Sequence, residues 1–290
     1  MPPYKRQHYL PAGYLKNFSI DQTKCNRESW IWRFNATRVQ AVPVVSQCSA
    51  DYHYSRTQPE QTEAMFHKLE QRYCHCIDAL KSGKNLSTQQ YGDLLVTMFD
   101  LHLRNAAHLN RTGKEGIAAY NTRSRVFLNE ILLGRSGSAV TREEIAVHIE
   151  THWHLRILLS SPNSIFMTSD HPSAWISLKA RQTALHMVLL PLTPTYIAVA
   201  FDKRFVKIVD KLVTHDDMFT LNATQIENSV QNVYASVHLP EQELALVKKQ
   251  LAGKPQESPC EVSENTWKLR LQGLSPENHF SFLRLIPPLF

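Results

Sequence analysis

The sequence predicts an α+β protein with a mostly helical middle and a small β-sheet built from N-terminal strands and strands near 164–201. Three features of the chain support this prediction. An aromatic, β-prone run lies at Trp30–Phe34, apolar residues recur at helical spacing between about 59 and 161, and short apolar runs occupy the stretch after 162. With 290 residues, 43% of them apolar, the chain is long enough to bury a sizeable core.

The N-terminal region predicts one short helix and two strands. A basic arm leads into a helix around Leu15. The run Trp30–Phe34 is rich in residues that favour strands and is followed by Asn35 and Ala36, so we expect a strand and then a turn. A second strand is expected near Val39 to Val45.

Four consecutive helices are predicted in the middle of the chain. Pro59 suits the first turn of a helix, and Ser87 with Gln90 resembles a capping box. The helices are expected from Pro59 to about Gly83, from Ser87 to about Leu109, over about 115–133, and from Thr141 to before Pro162. Four apolar residues share one face of the fourth helix: Ile145, Ile149, Trp153 and Ile157.

After Pro162 the pattern changes to short apolar runs, which predict buried strands. These runs are 164–168, 186–190 and 196–201. Two further helices are expected over about 222–235 and 240–251, before a polar, proline-bearing linker at 254–265. The sequence therefore predicts a single α+β domain over 1–253 and a linker with a packed C-terminal tail over 254–290.

Several functional classes are disfavoured by the sequence. Pro11 and Lys16 interrupt the start of the chain where a secretory signal would be apolar, and its most apolar stretch is broken by Pro191 and Pro194. Five scattered cysteines fit reduced thiols better than a disulfide framework. We expect a cytoplasmic protein with no membrane partner. The sequence has no P-loop and no dinucleotide fingerprint, so no nucleotide cofactor is expected.

The positive charge of the chain is concentrated in two segments. The net charge is +6, with seven Lys/Arg against two acids in 1–40 and six against two in 101–135. Between them, residues 51–100 carry five basic and seven acidic residues. If the two basic segments converge, they would bind phosphates or another polyanion. The alternative is a solvated surface that keeps the protein soluble.

Candidate functional side chains occur on two of the predicted helices. Glu63, His67, Glu70 and Cys74 follow helical spacing on one face, an arrangement that would suit a divalent metal if a second element supplied ligands. The alternative is an exposed, charge-paired face. Arg104 and Arg111 also share a helical face, as anion binding requires, but with Asp100 they would equally form a surface ion-pair strip.

A third candidate cluster directly follows the predicted strand at 164–168. Thr168-Ser169-Asp170-His171-Pro172 offers oxygen and nitrogen ligands or acid–base groups at a strand end, where functional side chains are often held. The alternative is a local side-chain turn that Pro172 then fixes.

The motifs of the chain resemble those of a mostly bacterial family, the domain of unknown function DUF4238. The opening Lys5–Phe18 follows K-x-x-H-Y-x-P-x-x-Y-L-x-x-F, Phe166–Pro172 resembles F-x-T-S-D-N-P, and Pro191–Pro194 resembles P-L-S-P. Further matches are Trp30-Ile31-Trp32, Asp51-Tyr52-His53-Tyr54, Glu63, Glu70 and Arg104, so that the resemblance spans about 5–238. The chain departs at His171, where Asn is usual, and at His102, where Gln is expected. The resemblance implies no particular reaction.

Polar residues at these motif positions lie on separate predicted elements. Burying polar groups together costs free energy, so a cluster of them in the interior would have either a structural or a catalytic role. One hypothesis is a metal-dependent hydrolase, nuclease-like and acting as a toxin or defence effector, with a phosphodiester or nucleotide substrate. Its catalytic residues would be His8, Tyr9, Glu63, Glu70 and Asp170. Its divalent metal, Mg²⁺ or Mn²⁺, would be held by Glu63, Glu70 and Asp170, and its substrate would be bound by Arg104, Arg111 and Ser169.

The alternative hypothesis is a non-catalytic nucleic-acid or protein-binding module whose polar core is architectural. A third option is a metal-free enzyme that uses Ser169 or His8. If His8, Glu63, Arg104 and Asp170 point into one solvent-connected cleft, the enzyme is favoured. If they are sealed and mutually satisfied, the module is favoured.

Overall fold

The computed structural model describes residues 6–55, 57–104, 120–121, 124, 142–180, 183–204, 206–252 and 280–285. Its helices are α1 (Ala12–Lys16), α2 (Pro59–Lys81), α3 (Thr88–Leu103), α4 (Arg142–His152), α5 (His215–Asn228) and α6 (Glu241–Ala252), with a 3-10 turn at Val44–Ser46. Its strands are β1 (Arg6–His8), β2 (Trp30–Phe34), β3 (Val39–Pro43), β4 (Ser49–Asp51), β5 (Trp153–Leu159), β6 (Thr168–Ser169), β7 (Ala174–Ala180), β8 (Thr183–Pro191), β9 (Tyr196–Asp202), β10 (Val206–Ile208), β11 (Val233–Ala235) and β12 (Leu283–Leu285). The predicted α+β class is confirmed.

The strands form antiparallel sheets in which the N-terminal and later strands are mostly separate. One sheet has the order β3-β2-β11-β6 and another has the order β5-β9-β8-β7, while β1 pairs with β4 and β10 with β12. The sequence predicted one small sheet shared by both sets of strands. Of the strands predicted near 164–201, only β6, two residues long, joins the described N-terminal strands, and it does so through β11.

The β5-β9-β8-β7 sheet is covered on both faces, because successive side chains of a strand point to opposite sides. On one face Leu155, Val188 and Ala200 belong to the core that also contains α1, α2 and α3. On the other face Met187 and Phe201 belong to the core that contains α5 and residues 280–283. A third core lies between the β3-β2-β11-β6 sheet and α6.

Several predicted elements are confirmed. The short helix around Leu15 is α1, the aromatic run is β2, and the strand near Val39 is β3. The capping box is present, with Gln90 N–H bonded to the Ser87 hydroxyl and the Gln90 side chain accepting from Ser87 N–H.

The prediction of a fourth helix reaching Pro162 is wrong beyond His152. Residues 153–159 form β5, which pairs with β9 along its whole length. The cause is a change of period, since Trp153 and Leu155 are buried whereas His154 and Arg156 are exposed. Hydrogen bonding to β9 and this alternation favour a strand over continued helix.

The helix expected over 222–235 is shifted toward the N-terminus. It begins after Thr214, whose hydroxyl and the Asp217 carboxylate form a capping box, and it ends at Asn228. Residues 233–235 are strand β11 instead. The strand β7 is an addition that the sequence did not predict.

Much of the third predicted helix and the whole linker at 254–265 lie outside the described residues, although 120–121 and 124 are helical. Residues 280–285 pack on the body of the protein: β12 pairs with β10, and the Phe282 side chain is 0% exposed. The division into 1–253 and 254–290 stays a prediction. No described helix combines the length and apolar character needed to cross a membrane.

Candidate functional site

The guanidinium of Arg104, at the C-terminal end of α3, is the centre of a buried polar network. Arg104 is 2% exposed. Its Nε donates to the Tyr54 hydroxyl at 3.0 Å, and its Nη1 donates to Glu70 Oε1 at 3.2 Å and Asp100 Oδ2 at 3.4 Å. Its Nη2 donates to the backbone carbonyl of His8 at 2.8 Å and to Glu70 Oε1 at 3.3 Å. These five bonds match the five N–H donors of an arginine side chain.

Aromatic rings close the space around this charge. The Arg104 guanidinium carbon lies 4.0 Å from the centroid of the Phe66 ring, which in turn packs on Tyr54 at 4.6 Å between centroids. Tyr120 donates to Asp100 Oδ1 at 2.7 Å. A buried charge is stable only when its partners compensate for the lost water. Because all five N–H groups of Arg104 bind these partners, none is left for a substrate phosphate.

Glu63 and Glu70 of α2 lie on the solvent side of this network. Both are half-buried, and the Glu70 side chain is 30% exposed. Burial raises the pKa of Glu70, an effect that Arg104 partly offsets. Burial and the neighbouring Glu70 raise the pKa of Glu63. The structure thus brings Glu63, Glu70 and Arg104 together, an arrangement that the sequence left open, with Arg104 paired to Glu70.

The carboxylate of Asp170, directly after β6, accepts hydrogen bonds from three backbone N–H groups. Asp170 is 5% exposed. Its Oδ1 accepts from Val230 N–H at 2.7 Å, and its Oδ2 accepts from the N–H groups of Gln231 and Asn232 at 2.8 and 2.9 Å. The carboxylate therefore fixes the loop between α5 and β11, which places β11 beside β6.

The neighbouring residues of the Thr168–Pro172 segment are also held from α5. Ser169 Oγ donates to Gln225 Oε1 at 3.4 Å and accepts from His171 N–H at 3.3 Å. The Gln225 side chain donates to Pro172 O at 2.9 Å. This is the side-chain turn that the sequence left open as the alternative to an acid–base cluster.

The two positions where the chain departs from the DUF4238 motifs lie against each other. The rings of His102 on α3 and His171 stack at 5.4 Å between centroids, with 29° between their planes. His102 also hydrogen bonds through Nδ1 to Ser173 O at 3.2 Å. The two histidines are therefore neighbours in the fold, although the sequence treated them separately.

His8 and Tyr9 of the opening motif lie between the two networks. Both are half-buried. His8 Nε2 donates to Val45 O at 3.2 Å, and burial lowers the pKa of its imidazole. Burial, the Cys48 thiol and Asp170 raise the pKa of Tyr9. Tyr9 is thus the predicted catalytic residue that lies close to Asp170.

His53 is a candidate functional residue that the sequence reasoning missed. It is 8% exposed, it lies between the rings of Tyr9 and Tyr54, and its Nε2 has no hydrogen-bond partner within the described ranges. Burial, with a smaller effect of Arg104, lowers its pKa to about 4, so it is neutral at pH 7. The signal that the sequence offered was its place in the motif Asp51–Tyr54. In the structure it follows Tyr52, whose φ of +51° is rare for a non-glycine residue.

The three carboxylates predicted to hold a metal belong to two different networks. Glu63 and Glu70 lie near Arg104, whereas Asp170 is bound by the loop before β11. In the part of the chain that the structure describes, no three His, Cys, Asp or Glu side chains are arranged to hold a metal ion. Arg111, predicted to bind substrate, lies outside the described residues.

The class that these observations define is an α+β protein with two polar networks, whose central groups, the Arg104 guanidinium and the Asp170 carboxylate, are fully hydrogen bonded within the protein. A family model described as protein of unknown function, DUF4238, matches residues 6–238. The chain belongs to this family, as its motifs predicted. Neither the curated proteins nor the solved structures contain a match to the chain.

Proposed function

We propose that the chain is a non-catalytic nucleic-acid-binding module whose motif residues form an architectural polar core. The observation that carries this proposal is the saturation of Arg104 and Asp170. All five donors of the guanidinium and both oxygens of the carboxylate are bound within the protein. A group that must bind phosphate or metal keeps a free donor or lone pair facing the ligand, and a sealed network instead specifies one packing arrangement.

The charge of the chain supports a polyanionic partner. The net charge of +6 and the excess of basic residues in two segments would attract nucleic acid, whose phosphates account for most non-specific affinity. Binding of this kind uses exposed cations and leaves a buried core free to serve only the fold.

The test measures binding and cleavage on the same protein. Anisotropy of a labelled RNA and a labelled duplex DNA is followed from about 50 to 200 mM salt, the range over which phosphate contacts lose most affinity, while gels monitor strand cleavage with Mg²⁺, Mn²⁺ or EDTA. We expect salt-dependent association and no cleavage. His8→Ala and Asp170→Asn should lower the melting temperature yet bind normally at a temperature where both are folded. Absence of association at the lowest salt concentration overturns the proposal.

A metal-dependent hydrolase acting on a phosphodiester or nucleotide is the second candidate, favoured by Glu63 and Glu70. Their mutual repulsion would be relieved by a cation, and Mg²⁺ is often held by one or two carboxylates together with substrate phosphates. Under this hypothesis the gels show Mg²⁺-dependent cleavage that Glu63→Gln abolishes. The matched control is Glu60→Gln, an exposed carboxylate in the first turn of the same helix.

A further inference from the structure

Two cationic side chains, Arg156 and Lys203, lie on either side of the neutral His154 at β5, the edge strand of the β5-β9-β8-β7 sheet. His154 and Arg156 are two residues apart, so they point to the same face, and both are exposed. Lys203, directly after β9, donates its backbone N–H to His152 O at 2.8 Å, which places it beside the start of β5. The His154 ring stacks on Phe201 at 5.7 Å between centroids.

This cluster has no acidic partner among the residues that the structure describes. Within those residues, no ion pair joins Arg156 or Lys203 to a carboxylate, and the charged groups that influence His154 are these same two cations, which help burial to lower its pKa. Arg204 nearby is different, because Asp202 binds it at 2.6 Å. Exposed cations without a counter-charge remain available to bind a polyanion.

We propose that the β5 edge, formed by His154, Arg156 and Lys203, binds the phosphate backbone of a nucleic acid. The inference rests on the proposed function and names a phosphate-binding surface that lies outside the two basic segments 1–40 and 101–135. The contacts are electrostatic, so they select phosphate rather than base sequence.

Two alternative roles for these cations predict different results. Charged residues on an edge strand also prevent unwanted pairing with another sheet, in which case their loss would cause association between chains rather than weaker binding. Exposed apolar residues next to this edge, Leu159 and Leu212, would suit an anionic membrane surface together with the cations.

The experiment compares Arg156→Gln/Lys203→Gln with the matched control Lys248→Gln/Lys249→Gln, which removes the same charge from exposed positions on α6. Each lost phosphate contact reduces the salt slope on duplex DNA by about 0.9, so the edge variant should lose about 1.8. Extrapolated from equal affinity at about 1 M salt, this is a roughly 60-fold weaker affinity at about 0.1 M. The control should change affinity less than about threefold, because its charges lie away from the edge. Size-exclusion chromatography should show both variants in the wild-type oligomeric state.

Each outcome separates the inference from the proposed function. If the wild type binds DNA and the edge variant binds equally well, the inference is overturned while the proposed function stands. If the wild type binds neither the labelled RNA nor the duplex DNA, both are overturned. Self-association of the edge variant with unchanged affinity, or wild-type binding to phosphatidylserine vesicles but not to DNA, likewise overturns the inference.

Discussion

The substitution Asp170→Asn tests whether the T-S-D-x-P segment is architectural. Three backbone N–H groups and the Asn232 side chain point at the carboxylate. Asparagine keeps one acceptor oxygen, so two of the backbone bonds persist as neutral bonds, each weaker by about 1 kcal/mol than a bond to a charged group. The amide nitrogen then faces the third N–H, which costs about 1–3 kcal/mol as an unsatisfied buried donor. The free energy of unfolding should fall by about 3–5 kcal/mol.

Urea unfolding monitored by circular dichroism measures this loss. The matched control is Asp210→Asn, an exposed aspartate for which we expect a change within about 0.5 kcal/mol. In the Asp170→Asn variant, hydrogen exchange should accelerate more at the amides of Val230, Gln231 and Asn232 than at amides elsewhere in the protein. An Asp170→Asn protein as stable as the control, with unchanged exchange in this loop, would refute the anchoring role of the carboxylate.

Three other buried side chains give testable predictions for stability. Arg104→Met leaves Glu70 and Asp100 without their cation and should cost about 3–5 kcal/mol in urea unfolding, against less than about 1 kcal/mol for Arg72→Met, which breaks an exposed pair. His53, with a pKa of about 4 in the folded state and 6.5 unfolded, binds its proton more readily when unfolded. Stability should therefore fall as pH drops from about 6.5 to about 4, by about 3 kcal/mol from this residue alone, and His53→Gln should remove that part of the urea-measured pH dependence. Phe282→Ala should cost about 3–5 kcal/mol in the same assay, because its fully buried ring packs into the core under α5; a loss below about 1 kcal/mol would mean that the tail contributes little.

Elements whose sequence pattern spans only a few residues were predicted, whereas an element that depends on pairing with a distant strand was not. The Ser87–Gln90 capping box and the aromatic run of β2 are encoded within a few residues, and both were predicted. The change from α4 to β5 was missed because Ile149, Trp153 and Ile157 continue a helical period across the boundary between the two elements. Only pairing with β9, more than forty residues later, selects the strand.

The candidate site was predictable in its residues but not in their roles. Glu70 and Arg104 were selected from separate helices, yet no spacing in the sequence shows that one binds the other at 3.2 Å. The role of Asp170 depends on the loop at 230–232, which contains no motif that the sequence could connect to it. His53 was passed over because the orphaned state of its Nε2 is a property of packing alone.

The positions of the motif residues have a common physical explanation. The strands β1 and β6 have three and two residues, too few to hold their neighbours by ladder hydrogen bonds alone. Each is tied by a side-chain hydrogen bond to a segment far along the chain: Arg104 binds the carbonyl of His8 in β1, and Asp170, directly after β6, binds the loop that leads to β11. Gln7 in β1 adds a third such tie, accepting from the N–H groups of Tyr54 and Ser55. These ties stabilise the fold, because breaking one leaves a buried charge or donor without a partner.

Functional residues are therefore expected among the groups that these ties leave free. The exposed cations of the β5 edge and the half-buried carboxyls of α2, rather than Arg104 or Asp170, are therefore the positions where binding and cleavage assays discriminate.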